Sequence, residues 1–308
     1  MPPQFTHPAL TTRPPSIDPV AAERLARRAP QPSPWLHEEV GRRMAERLEW
    51  IRLQPESWVD WRPVWGGLEA HALVRARYPQ ALCTAVEPNP AQALYAAARL
   101  RRPWWRRWTE AGVAVAADAP DGTARMLWAN MALHAAADPQ ALMAQWHRAL
   151  AADGFLMFSS LGPDSLRGLR RLYADLGWPP AGPEFTDMHD WGDMLVQAGF
   201  AEPVMDMERV TLTWTSPELM LGELRTLGIN LHPGRFPACR GRHWRDRLLA
   251  NLRERLAGPD GRLALVFEIV YGHAMRPAAR PRVAPESALS LQDMRQLLRG
   301  DRAEGGTR

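Results

Sequence analysis

The run Ser57-Trp-Val-Asp-Trp-Arg-Pro-Val-Trp-Gly-Gly67, the stretch Leu68 to Tyr78 after it, and then Ala81-Leu-Cys-Thr-Ala-Val-Glu87 decide the fold. A short apolar run leads into a turn with Pro63, Gly66 and Gly67. A helical pattern follows, and then a second apolar run stopped by Glu87, Pro88 and Pro90. That is strand, turn, helix, strand. Downstream the alternation continues: Ala91 to Leu100 reads as helix, Val113 to Ala116 and Ala124 to Trp128 as buried strands, and Pro139 to Leu150 as helix. The Asp153-Gly154 pair predicts a turn into a strand from Phe155 to Ser160. Upstream, Leu36, Val40, Met44, Leu48 and Ile51 share one face of a helix over Trp35 to Ile51. Strands and helices alternating at this spacing predict an α/β fold, a doubly wound and mostly parallel sheet with helices on both faces. Such a sheet takes its ligand at the carboxyl ends of its strands, where the strand order switches.

The second half has a different order. Ser165 to Leu176 and His189 to Ala198 read as amphipathic helices and Pro203 to Trp214 as a long strand. Pro217 to Leu227 and His243 to Leu256 read as helices, and Leu263 to Tyr271 as a final strand. A parallel sheet, a helical insert over about 162–200 and a closing antiparallel hairpin fit this sequence of elements. Residues 1–18, rich in Pro and Thr, predict a disordered tail, and so does most of 278–308; the folded domain is expected over 19–277.

Composition narrows the chemistry. The sequence contains no lysine, and its 38 basic residues are all arginine, so a lysine Schiff base and a Gly-Lys-Ser/Thr phosphate loop are excluded. A net charge of +4 does not by itself indicate nucleic acid. The 2 cysteines, Cys83 and Cys239, lack metal-ligand spacing and read as unrelated buried thiols. No apolar run is long enough for a membrane span, and the N-terminus lacks a secretory core, so the expected location is cytoplasmic.

Several segments carry a resemblance. They are Asn130-Met-Ala-Leu-His134, Phe158-Ser-Ser-Leu-Gly-Pro-Asp-Ser-Leu166 and Asp187-Met-His-Asp-Trp-Gly-Asp193, then Ala198 to Glu208, Leu224-Arg-Thr-Leu-Gly228 and Phe267-Glu-Ile-Val-Tyr-Gly-His273. In order and spacing they resemble the malonyl-acyl-carrier-protein O-methyltransferases of biotin synthesis, which are class I S-adenosyl-L-methionine (SAM) methyltransferases. The resemblance covers roughly residues 38–277 and is stronger in the C-terminal half. It implies a seven-stranded Rossmann-like sheet with its last strand antiparallel, SAM as cofactor, and a malonyl thioester on acyl carrier protein as partner and acceptor.

It also implies roles for particular residues. Asp60 stands where the family has an acid at the end of the first strand. The glycine-rich turn that should follow is reduced to Gly66 and Gly67, with Pro63 and Trp65 in the other glycine places. Glu87, at the end of the second strand, matches the acid that accepts the ribose hydroxyls; the alternative is an acid that merely starts the next helix. Asp118 matches the adenine contact, or is a solvated loop acid. Asn130 would line the pocket beside the methyl group, or is a turn residue. Because a carboxylate acceptor is already anionic, the catalytic task is orientation and charge holding. His134, Arg167 and Arg170 are the candidates, arginine for its two-pronged fit to a carboxylate; the alternatives are a hydrogen-bonded histidine at a helix start and, with Arg171, the solvated face of a helix. Arg225 and His273 lie in family-like segments, and His189 reads as a helix cap. The family also closes an N-terminal segment over its substrate with a hydroxyl-bearing aromatic residue, and Ala29 to Trp35 here has no tyrosine. Two function classes therefore stay open: an active SAM-dependent O-methyltransferase, and a methyltransferase fold kept as a binding or scaffold module. A third, nucleic-acid binding through Arg101-Arg-Pro-Trp-Trp-Arg-Arg-Trp108, rests on that one segment.

Overall fold

The protein is described by a computed structural model covering residues 17–29, 31–101, 108–109 and 111–278. The expected tails, 1–16 and 279–308, and the core of the Arg/Trp segment, 102–107, lie outside the described residues.

A seven-stranded sheet runs in the order β3-β2-β1-β4-β5-β7-β6. The strands are β1 Ser57–Trp61, β2 Leu82–Val86, β3 Val113–Ala116, β4 Ala124–Ala129, β5 Leu150–Leu161, β6 Ala201–Trp214 and β7 Leu263–Met275. β1 to β5 are mutually parallel, and β7 runs antiparallel between β5 and β6, as the resemblance implied. Parallel strands buried on both faces need apolar residues at successive positions. β1 supplies them: Trp58 enters one core, Val59 and Trp61 the other. The first core is closed by Leu36, Val40, Met44 and Leu48 from α2 (Trp35–Arg47) and its following turn. The second is closed by Trp146 of α6 (Pro139–Ala149) and Trp191 of α8 (Met188–Gln197).

The remaining helices are α1 Pro19–Ala26, α3 Pro63–Gly66, α4 Leu68–Arg77, α5 Pro90–Arg99, α7 Arg167–Asp175, α9 Pro217–Thr226 and α10 Arg242–Leu256. Their starts are written locally. Proline begins α5, α6 and α9, where its missing N–H costs nothing. Asn89, Asp138 and Ser216 cap them through Ala91 N (2.9 Å), Ala141 N (2.9 Å) and Leu219 N (3.2 Å).

Four expectations need correction. Ile17 and Asp18 belong to the fold and not to a tail: Ile17 is buried, and Asp18 caps the unexpected helix α1 through Val20 N at 2.8 Å and pairs with Arg235. Asp153 and Gly154 are not a turn ahead of the strand. β5 already begins at Leu150, and the pair makes an irregularity inside it, with Asp153 at φ 59° and its N–H bonded to Arg276 O at 2.8 Å. His189 is not the cap of α8; Asp187 is, accepting His189 N and ring Nδ1. Cys83 is buried, but Cys239 is exposed.

Candidate functional site

The chain leaves β1 toward β2 on one side and leaves β4 toward β5 on the other, so the crevice at the carboxyl ends of β1 and β4 is the switch point. A cavity of about 540 Å³ opens there. Trp61 and Arg62 at the end of β1, Asn89 and Gln92 after β2, and Ala132 after β4 line it, and α1 borders it through Glu23 and Arg27.

The turn after β1 is the most altered part of the site. Arg62 donates its N–H to Val86 O at 2.9 Å and then takes a left-handed conformation, φ 57°. The tight left-handed step therefore falls on Arg62, one residue before Pro63, which was placed at one of the family's glycine positions. A β-carbon there costs roughly 1–2 kcal/mol that glycine would avoid. Pro63 then starts the one-turn helix α3, and Gly67, φ 131°, hands over to α4.

Protein groups occupy the far side of this turn. A β-carbon on Gly66 would lie 3.0 Å from Asn130 O, and one on Gly67 only 2.6 Å from a carboxylate oxygen of Glu38. Glu38 accepts Ala70 N at 2.9 Å, and the Ser33 hydroxyl accepts Leu68 N at 3.3 Å, so the first donors of α4 are capped by α2 and the segment before it. Asn130, buried, donates to Gly66 O and to His37 O (2.7 Å) and accepts the Ser159 hydroxyl at 2.6 Å. The Trp65 indole donates to Met131 O at 3.2 Å, and its ring meets His37 edge-on at 4.9 Å. His37 Nδ1 lies 2.8 Å from Trp65 O, and burial lowers its pKa to about 4.

The acids behave differently from one another. Asp60 is buried with its Oδ2 2.7 Å from His71 Nδ1, and burial raises its pKa. Glu87 has no exposed surface. Its Oε1 accepts Val64 N at 2.8 Å, while its Oε2 is buried without a hydrogen-bond partner. Burial pushes its carboxyl up to about 7, against the pull of the Val64 N–H and the Arg62 charge. Asp118 is exposed and accepts Ala119 N (2.8 Å) and the Gln145 amide (2.7 Å). Asp60, Gly66, Gly67, Glu87 and Asn130 thus gather around the turn, whereas Asp118 sits apart from it.

The expected acceptor-side residues do not form one cluster. His134 meets Phe185 edge-on at 6.1 Å. Its Nδ1 is buried and unpartnered, and burial, with His37 acting the same way, lowers its pKa to about 3. Arg167 is exposed and pairs with Asp164 at 3.1 Å. Arg170 donates to Pro163 O. Among the described residues, no hydrogen bond or ring contact links His134 to either arginine. Arg225 is exposed, and His273 is half-buried beside Phe155 with its pKa lowered by burial. Sequence reasoning missed Glu38, Arg62 and Gln92. Only Arg62 carried a local signal, as the first residue after an apolar strand.

A family model described as a methyltransferase domain matches residues 66–158. The malonyl-(acyl-carrier protein) O-methyltransferase of Laribacter hongkongensis is 40% identical over 262 residues, covering 80% of this chain and 84% of that protein. The protein of the same name from Gallionella capsiferriformans is 38% identical over 272 residues, covering 83% and 89%. This chain belongs to the malonyl-acyl-carrier-protein O-methyltransferase family. Among solved structures, a methyltransferase-like protein from Bacillus halodurans covers 76% of this chain and 99% of its own at TM-score 0.51 and 15% identity. YcgJ from Bacillus subtilis covers 77% and 98% at TM-score 0.50 and 12% identity. These two establish the shared fold.

The family's methyl donor is SAM. The cavity's place and volume suit the nucleoside half of such a molecule. The residues expected to hold it do not fit it in this conformation. None of them lines the cavity, Glu87 has no exposed atom for a ribose, and the groups at Gly66, Leu68 and Ala70 already have protein partners.

Proposed function

We propose that this chain is a cytoplasmic enzyme that methylates the free carboxylate of a malonyl thioester on acyl carrier protein, with SAM as donor. The observation that carries the proposal is the 40% identity to the Laribacter hongkongensis enzyme across most of both chains. The acceptor carboxylate is ionised at neutral pH, so no base is required. His134, held neutral by burial, is suited to hydrogen bonding and not to carrying charge. Arg167, exposed beside Asp164, is free to exchange that partner for a carboxylate, and Arg170 stands one helical turn on. Asp60, Gly66, Gly67, Glu87, Asp118 and Asn130 are proposed for the donor side, which requires Trp65 and Glu38 to withdraw from the turn. Among the described residues no helix is long and apolar enough to cross a membrane.

The filled turn supports a second reading, in which the methyltransferase fold is retained without donor binding. One experiment separates the two. Purified chain is incubated with SAM and malonyl-acyl carrier protein, and the carrier is examined by mass spectrometry for the methyl ester. Ester formation that depends on the chain establishes the enzyme. No ester, together with no heat on titrating SAM to millimolar concentration, leaves the binding module.

A further inference from the structure

The run Arg240-Gly-Arg-His-Trp-Arg-Asp-Arg247 leads into α10 with Asp246 as its one acid. The first turn of a helix favours acids, because the end of the helix is itself partly positive. α10 has no acid in its first turn, and its N-cap, Gly241, supplies no side-chain hydrogen bond. Further along the same helix the arginines are neutralised: Arg253 pairs with Glu218 at 2.8 Å and Arg255 with Asp175 at 3.3 Å. Arg242 and Arg245 are exposed, and their guanidinium groups meet no carboxylate among the described residues. The two halves of α10 therefore differ in charge balance, and the unbalanced half is kept at a cost to the helix.

The other two arginines of the run are ordered by rings. Arg240 lies 4.0 Å from the centre of Phe236, 4.3 Å from Trp244 and 6.0 Å from Trp178, and Arg247 lies 5.7 Å from Trp178. Trp178 and Trp244 pack at 5.1 Å, and Tyr173 of α7 meets Trp178 edge-on at 5.2 Å. A ring attracts a guanidinium without cancelling its charge. The cations are thus held in place before any partner arrives, which lowers the cost of ordering them on binding. Phe236 is 41% exposed and adds an apolar contact. Arginine with aromatic residues is the mixture that protein interfaces favour. The patch is also tied to the mouth of the crevice. Asn230 donates to Pro180 O at 2.7 Å, two residues beyond Trp178. Arg235, next to Phe236, pairs with Asp18, the cap of the helix α1 that borders the cavity.

We propose that the arginine and aromatic face at the start of α10 is the docking surface for acyl carrier protein, with Arg240, Arg242, Arg245 and Arg247 meeting carboxylates of an acidic helix and Phe236 an apolar side chain among them. The identity of the carrier rests on the function proposed above; the sign of the partner's charge rests on the arginines. Acyl carrier proteins are small, acidic and helical. A carrier has to leave after each methyl transfer, and exposed charge pairs speed encounter without holding the product.

Fluorescence anisotropy of labelled malonyl-acyl carrier protein, titrated with the full chain, tests this in the wild type and in Arg242→Glu/Arg245→Glu. Acids suit the start of a helix, so the variant is expected to fold with a thermal midpoint no lower than the wild type's. The expected result is binding at least about tenfold weaker in the variant, with a salt dependence shallower than the wild type's. Arg52→Glu, which reverses an exposed charge beyond α2, should bind within about twofold of the wild type. The proposal is overturned if the double variant binds as tightly as the wild type, if Arg52→Glu weakens binding as much, or if the wild type does not bind the carrier. It is also overturned if a single-stranded oligonucleotide binds the wild type more tightly than the carrier does and loses that affinity in the double variant, which would give the surface to nucleic acid. Methyl ester formation is read separately. Carrier binding that the double variant loses, with no ester formed by the wild type, leaves this surface standing and removes the enzyme reading. Ester formed equally fast by both proteins at limiting carrier overturns the surface and leaves the enzyme.

Discussion

Two strand ends in this protein are built on the same plan and finished differently. After β1, Arg62 turns left-handed at φ 57°, and the buried Glu87 accepts Val64 N at 2.8 Å. After β5, Leu166 turns left-handed at φ 57°, and the buried Glu268 accepts Asp164 N at 2.8 Å. At the second turn most of the hydrogen bonding is made, although Arg170, which donates to Pro163 O, leaves its Nε buried without a partner. The Ser165 hydroxyl donates to Glu268 O and accepts Glu268 N, both at 3.0 Å, and Asp164 holds Arg167 and Arg209. The Glu268 carboxyl lies so close under Gly162 that a β-carbon there would come within 2.8 Å of it. At the first turn Glu87 Oε2 is buried without a hydrogen-bond partner, and Arg62 lines the cavity. Buried polar groups are normally satisfied. The difference lies in what each buried carboxyl reaches: Glu268 ties its turn to β7, whereas Glu87 holds one N–H and keeps an oxygen unsatisfied.

Glu87→Gln should break the comparison most strongly, through pH. The Glu87 carboxyl titrates near 7 in the folded chain against 4.5 as the ordinary value. The folded state therefore holds a proton that the unfolded state has released, and stability falls as pH rises from about 4.5 through 7. That displacement corresponds to about 3 kcal/mol once the group is ionised in both states. Urea unfolding at pH 5 and pH 8 should show the wild type losing stability relative to Glu87→Gln, in which this contribution to the slope is absent. Equal slopes in the two proteins would show that Glu87 is not buried as described. His37 and His134 act in the opposite sense and at lower pH. Their pKa values of about 4 and about 3 lie below the usual 6.5, so their contribution is present above 6.5 and is lost as pH falls through those values.

Glu268→Ala attacks the second turn. It removes the acceptor of Asp164 N and opens space under Gly162, at an expected cost of about 2 kcal/mol. Equilibrium unfolding in urea measures it. A cost under about 0.5 kcal/mol would place Glu268 among ordinary surface-like substitutions and remove the contrast between the turns.

How far these features were legible depends on the range of the interactions that make them. The strands, the sheet class and the starts of α5, α6 and α9 rest on local signals: apolar runs, proline at the first helical position, and Asn89, Asp138 and Ser216 just before it. The gathering of Asp60, Glu87 and Asn130 at one turn followed from the strand order implied by the resemblance. What escaped was set by distant partners. α1 is short and alanine-rich, and it is fixed by Asp18 meeting Arg235 and by Leu231 packing on Leu25. The bulge at Asp153 depends on Arg276 at the far end of β7. The left-handed step at Arg62 escaped because it is set by its N–H meeting Val86 O across the sheet while Glu87 holds Val64 from below. No pattern within the turn announces that Glu38, on another helix, fills its far side.

Glu38→Ala is the smallest expected change and the sharpest test of that filling. The carboxylate caps Ala70 N at 2.9 Å and sits against Gly67, so its loss should cost about 1 kcal/mol, as for other removed helix caps. The consequence for ligands is more telling than the cost. With the carboxylate gone, the first donors of α4 and the space beside Gly67 become available to an incoming carboxylate, while Arg62, Gln92 and the cavity beside them are unchanged. SAM and S-adenosylhomocysteine, which carry such a group, should each gain about threefold to tenfold in calorimetric affinity relative to the wild type, and adenosine should gain nothing. A uniform change across all three would mean that the variant merely loosens the crevice. An unchanged profile would mean that Glu38 belongs to the permanent architecture of the helix start, and that Trp65 and Asn130 alone keep that end of the crevice closed.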